Sequence, residues 1–93
     1  MARKDNLTKR WHENRFALNL RMVRREQKLL QKDVGKLIGQ ECNTISAYEA
    51  GKRVPDVLQA VKIANALNVS LDMLCETEYY KLNREKFHNP LEY

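Results

Sequence analysis

The sequence has few of the residues that build metal sites or disulfide scaffolds. It contains two cysteines, Cys42 and Cys75, far apart in the chain and with no C-x-x-C pair. Zinc sites and disulfide frameworks need closely grouped or multiply paired cysteines. We therefore expect two reduced thiols, no metal and no cofactor.

Motifs for catalysis are absent as well. There is no G-x-S-x-G, no glycine-rich phosphate loop and no H-E-x-x-H. The two histidines, His12 and His88, stand near opposite ends of the sequence without evident partners. The sequence predicts no catalytic residue, and an enzyme is the least favoured class of function.

Long apolar runs are missing too. No stretch approaches the roughly 18 apolar residues of a membrane span, and the first ten residues, MARKDNLTKR, lack the apolar core of a signal peptide. We expect a cytoplasmic protein without a membrane partner. With 93 residues it forms one small domain, whose stability dimerisation would support.

Positive charge is concentrated in the N-terminal part of the chain. The net charge of +5 divides into +6 over residues 1–25, +1 over residues 26–55 and −2 over residues 56–93. This distribution suits a chain whose first half faces a polyanion, although mildly basic composition is also common in small soluble proteins.

Residues 31–49, QKDVGKLIGQECNTISAYE, are predicted to form two short helices joined by a glycine turn. Gly39 supplies the positive φ of the turn, and Gly35 leaves room for a close approach by the second helix. Apolar residues at helical spacing mark one buried face on each helix, Val34 with Ile38 and Ile45 with Tyr48. The opposite face of the second helix is small or polar, a shape suited to the DNA major groove.

This stretch resembles the helix-turn-helix of the Xre family, the regulators related to the lambda and 434 repressors. The family pattern matches without a gap, and the resemblance covers about residues 16–74. The matching positions are Arg24, Gln31, Val34, Gly35, Gly39, Thr44, Ile45, Glu49, Gly51 and Pro55.

The resemblance implies an all-α, five-helix lambda-repressor-like DNA-binding domain with a short C-terminal extension. The expected divisions are a basic N-terminal arm over residues 1–10, the domain over 11–75 with its helix-turn-helix over 31–50, and an aromatic extension over 76–93.

It also implies roles for individual residues. Arg24 and Glu49 form a structural ion pair, and Asn43 is the best candidate for direct readout because its amide can bond adenine at two atoms. Base-reading positions are Cys42, Asn43, Ser46 and Ala47, and phosphate-binding positions are Gln31, Thr44, Lys52 and Arg53. An alternative role for Cys42 is a redox switch whose oxidation blocks the groove.

The helical pattern predicts further elements. The first helix runs from about Trp11 to Gln27, and Leu30 replaces the usual Ser or Thr cap of the next, a loss that Asp33 partly offsets. Asp56 caps a fourth helix and Ser70 a fifth. The fourth is expected to be the central core element, because apolar residues surround most of it: Val57, Leu58, Val61, Ile63, Ala64 and Leu67.

Residues 76–93 are too apolar for an inert tail. Tyr79 and Leu82 fit one helix face, and the extension is interpreted as a dimerisation helix or a strap over the domain, or else as a peptide that recruits another protein.

Together these patterns predict a repressor that forms a homodimer and binds an operator with two half-sites in double-stranded DNA. The alternatives are an antitoxin or protein-interaction adaptor that autoregulates through the same fold, and a restriction-modification controller protein.

Overall fold

The computed structural model describes residues 15–83, which are helical without strands and confirm the all-α fold. The predicted basic arm over residues 1–10, the start of the first helix at Trp11 and residues 84–93 of the extension lie outside the described part. Six helices follow in order: α1 Arg15–Glu26, α2 Gln31–Ile38, α3 Cys42–Glu49, α4 Val57–Leu67, α5 Leu71–Cys75 and α6 Glu78–Leu82.

The core forms where the apolar stripes of α1 to α5 meet. All four apolar residues predicted for the helix-turn-helix are buried, and Leu20 and Val23 of α1 are fully enclosed with them. Because α1 packs against both α3 and α5, it supports the helix-turn-helix from behind. The main buried apolar side chains are Phe16, Leu20, Val23, Val34, Ile38, Ile45, Tyr48, Ile63, Leu67 and Leu74.

The turn between α2 and α3 depends on two glycines. Gly39 has φ +72° and caps α2 in the left-handed conformation, which residues other than glycine tolerate poorly. At Gly35 an added Cβ would lie 2.5 Å from the carbonyl oxygen of Gln40. The close approach predicted at Gly35 is therefore to the backbone of the turn rather than to the body of α3.

The start of α2 lacks a side-chain cap, as expected from Leu30. The carboxylate of Asp33 instead accepts a hydrogen bond from the backbone N–H of Leu30 at 2.7 Å. Asp33 thus compensates through a direct hydrogen bond as well as through the helix dipole.

A buried asparagine, which the apolar pattern did not reveal, ties α1 to the end of α5. Asn19 Nδ2 donates to the carbonyl of Leu74 at 3.0 Å and to Glu76 Oε2 at 3.0 Å. These bonds satisfy groups at a helix C-terminus that would otherwise lack partners. The Asn19 amide lowers the pKa of the Glu76 carboxyl, and Arg15, at 2.9 Å, adds to the effect.

The prediction that α4 is the central core element, with apolar residues around most of the helix, is correct for one side of the helix only. Its N-cap is Asp56, as predicted, whose side chain accepts from Gln59 N at 2.8 Å. However, Val57, Leu58 and Val61 are exposed, and the buried stripe consists of Ala60, Ile63, Ala64 and Leu67. The reason is geometric: Leu58 lies on the far side of the helix from Ala60, and Val57 belongs to the first turn, beyond the packed layer.

The described part of the extension contains the short helix α6. Thr77 caps it by accepting from Tyr80 N, and its hydroxyl donates to Asp72 at 2.7 Å. Tyr79 and Leu82 remain exposed, so this part of the extension does not bury its apolar face against the domain.

Within residues 15–83, none of the helices has the length and apolar character that crossing a membrane requires.

Candidate nucleic-acid interface

The side of α3 that faces away from the core is open to solvent. Cys42, Asn43 and Ser46 are exposed, and Ala47 is half-buried at the edge of the same surface. The position of this surface follows from the burial of Ile45 and Tyr48 on the opposite side of an eight-residue helix. The four predicted base-reading residues therefore share one accessible face, and Thr44 lies half-buried beside it.

A basic loop adjoins the C-terminal end of α3. The backbone N–H groups of Lys52 and Arg53 donate to the carbonyl of Ala47 at 3.0 and 3.3 Å, which folds the loop back onto the helix. Both side chains are exposed. The guanidinium of Arg53 lies over the ring of Tyr48, 5.8 Å from its centroid, a cation–π contact that limits the directions available to this charge. No sequence pattern marked this contact.

The carboxylate at the end of α3 is neutralised from α1. Arg24 Nε donates to Glu49 Oε2 at 2.6 Å and Arg24 Nη2 to Glu49 Oε1 at 3.0 Å, in a bidentate ion pair. The side chains are only 12% and 4% exposed. Hydrogen bonding to the Glu49 carboxylate raises the pKa of Arg24, and a third donor, Nη1, donates to the carbonyl of Leu29 at 2.8 Å.

Gln31 joins this ion pair to the face of α3. Its Nε2 donates to Glu49 Oε1 at 3.1 Å, and its Oε1 lies 4.0 Å from the thiol of Cys42. Because an amide nitrogen carries two hydrogens, one N–H remains for a phosphate. The sequence did not indicate that Gln31 also holds Glu49 in place. The redox role of Cys42 stays a prediction.

The predicted residues thus fall into one continuous region. The predicted base-reading positions form its centre, Lys52 and Arg53 lie at one border, and Gln31 at the start of α2 lies at the other. Two acidic residues flank α3: Glu41, its exposed N-cap beside Cys42, and Glu49, which is held by Arg24 and Gln31. The region can accept an anionic ligand with hydrogen-bonding edges.

The chain is similar to known proteins over most of its described helices. A family model described as "Helix-turn-helix" matches residues 20–74. The chain is 38% identical over 63 residues to an uncharacterised HTH-type transcriptional regulator, YqaE, of Bacillus subtilis, an alignment that covers 68% of this chain and 54% of that protein.

Two fungal proteins named multiprotein-bridging factor 1 also match. The Debaryomyces hansenii protein is 40% identical and the Candida albicans protein 35% identical, each over 52 residues, which are 56% of this chain and 35% and 34% of the fungal proteins. The chain spans about half the length of the bacterial relative and about a third of the fungal ones. Among solved structures, none matches this chain significantly.

Proposed function

Because the chain belongs to the helix-turn-helix family of DNA-binding transcriptional regulators, we propose that it is a dimeric repressor that reads an operator with α3. The observation that carries the proposal is the exposed polar face of Cys42, Asn43 and Ser46, bordered by the cations of Lys52 and Arg53. A face of this shape fits the major groove, and flanking cations contact phosphates. The operator would contain two half-sites about one helical turn apart, and its occupation would block a promoter.

Two substitutions separate base reading from phosphate binding. Sites are first selected from a random DNA pool, and affinity is then measured by fluorescence anisotropy over a range of salt concentrations. Asn43→Ala should weaken selected sites by about 1–3 kcal/mol and relax the preference at one base position. Lys52→Ala should weaken all DNA alike and reduce the salt dependence by about one counterion. Unchanged affinity in both variants would contradict the proposed docking.

The dimer contact is proposed to lie at the start of α4. Val57 and Leu58 are 72% and 75% exposed, and Val54 and Val61 extend the same apolar patch. A cleft lined in part by Phe16, Pro55 and Leu71 continues it. A two-fold contact brings the same patch of both copies together. A surface with these apolar residues at its centre suits such a contact.

Leu58→Asp tests this contact. Burying two new carboxylates at the interface should dissociate the dimer and lower operator affinity about 100-fold, because the second half-site no longer adds to binding. Sedimentation measures the dimer and anisotropy the affinity.

Two other variants serve as comparisons. Leu18→Asp introduces the same charge at an exposed leucine of α1 and should leave the dimer intact. Leu82→Asp tests the extension, and dissociation by this variant alone would move the contact to α6.

A second candidate function is a protein-interaction adaptor. Two relatives are named multiprotein-bridging factor, and α6 presents Tyr79 and Leu82 to solvent. In that case Tyr79→Ser with Leu82→Ser would abolish co-purification of a second protein without changing DNA affinity.

A further inference from the structure

The outward side of α1 combines apolar and basic side chains. Leu18 and Met22 are 50% and 46% exposed and lie one turn apart. Arg21 and Arg25 have the same spacing and are also exposed. These four residues and Glu26 line a shallow depression. We refer to Leu18, Arg21, Met22 and Arg25 as the α1 outer face.

We propose that the α1 outer face is a docking site for an acidic amphipathic segment of another protein. Leu18 and Met22 supply an apolar stripe for the apolar anchors of the partner, and methionine adapts to varied shapes. Arg21 and Arg25 supply charge for its carboxylates, since no acidic side chain among residues 15–83 forms an ion pair with either of them.

DNA bound to α3 would leave this face accessible. Leu18 and Met22 are each two positions from the fully buried Leu20, which places them about 160° away from it around the helix. The inner side of α1 contacts α3 and α5. The α1 outer face therefore points away from α3, and binding of the acidic segment is independent of the proposed DNA function.

A second copy of this chain is a poor occupant. In a two-fold contact centred on this face, Arg21 and Arg25 of each copy would meet the same arginines of the other, and like charges brought together in this way repel. Arg15, which lines the cleft beside the patch at the start of α4, is by contrast paired with Glu76. The charge distribution thus assigns the two apolar surfaces to different partners.

The test uses the full chain and synthetic peptides. The probe is a labelled peptide with leucines on one helical face and glutamates beside them. One comparison peptide replaces the glutamates with lysines, and another replaces the leucines with serines. Only the peptide with both leucines and glutamates should bind, as measured by fluorescence anisotropy. The amide chemical-shift changes that it causes in NMR spectra of the protein should be concentrated in α1.

Charge-reversal variants then test whether Arg21 and Arg25 bind the carboxylates of the peptide. The variant with Arg21→Glu and Arg25→Glu should bind the acidic peptide at least tenfold more weakly and should bind the lysine peptide. A matched control, Lys36→Glu with Lys62→Glu, changes the net charge equally on other exposed positions and should retain the affinity. Circular dichroism verifies that both variants are folded.

Two outcomes would overturn the proposal. Equal weakening by both charge-reversal variants would indicate attraction to net charge alone. Shift changes on α3 together with competition by DNA would indicate that the peptide imitates nucleic acid. Simultaneous binding of DNA and peptide is expected instead, and failure of DNA binding alone would leave the peptide result standing.

Discussion

Arg24→Met should lower the free energy of unfolding by about 3 kcal/mol. The substitution leaves the carboxylate of Glu49, which is 4% exposed, without its bidentate cation at the C-terminal end of α3. Negative charge is unfavourable at that end of a helix, and Gln31 retains only a single neutral hydrogen bond to it. Thermal unfolding by circular dichroism should show a melting temperature about 15 °C lower.

An exposed ion pair provides the control. Lys81 and Glu78 approach to 3.9 Å on α6 with both side chains well exposed, so Lys81→Met should cost less than about 0.5 kcal/mol. If Arg24→Met were no worse than this variant, the pair would have no structural role. Replacing Arg24 and Glu49 together by methionine and leucine should restore much of the lost stability, because no charge then remains buried.

The position of the α3 face could be predicted from the sequence because it depends on local periodicity. Ile45 and Tyr48 at helical spacing fix the buried side, and the residues opposite them must then be accessible. The Arg24–Glu49 contact is of another kind. Two residues 25 positions apart have no spacing rule that links them, and only the resemblance to a known family indicated their pairing.

The sequence could not show whether each apolar residue packs in the core or lies on the surface. Val57 and Leu58 have the same hydropathy as residues of the core, and their pattern indicates burial without naming what covers them. In the structure the buried side of α4 begins at Ala60, so Val57 and Leu58 face solvent. An apolar residue that belongs to a contact between proteins cannot be told from a core residue by composition.

Polar contacts were missed for a related reason. Asn19 occupies a buried position of α1 and binds the end of α5, and Gln31 turns toward Glu49. Each bond depends on the three-dimensional position of a distant group, which helical periodicity does not encode. The Asn19 bonds hold α1 to the end of α5, and the Gln31 bond joins the start of α2 to the end of α3.

Gly35→Ala should have the second large effect. Its new Cβ would lie 2.5 Å from the carbonyl oxygen of Gln40 and 3.4 Å from the carbonyl carbon of Glu41, which are backbone atoms and cannot rotate away. Overpacking of this kind costs about 3 kcal/mol, whereas alanine in a helix gains about 1 kcal/mol over glycine. The clash prevails, so we expect a net loss of about 2 kcal/mol and a displaced turn before α3.

Gly39→Ala serves as the control, because it strains the backbone of the turn without a steric clash that would displace α3. Gly39→Ala meets no atom within 4 Å, but it keeps φ at +72°, so it should cost about 1 kcal/mol of stability without moving α3. Urea unfolding measures both losses, and anisotropy with selected DNA measures binding well below the unfolding transition. Gly35→Ala should weaken binding at least tenfold while Gly39→Ala retains it. Equal affinities would show that α3 tolerates a shift of the turn, and DNA docking by a rigidly placed α3 would then be wrong.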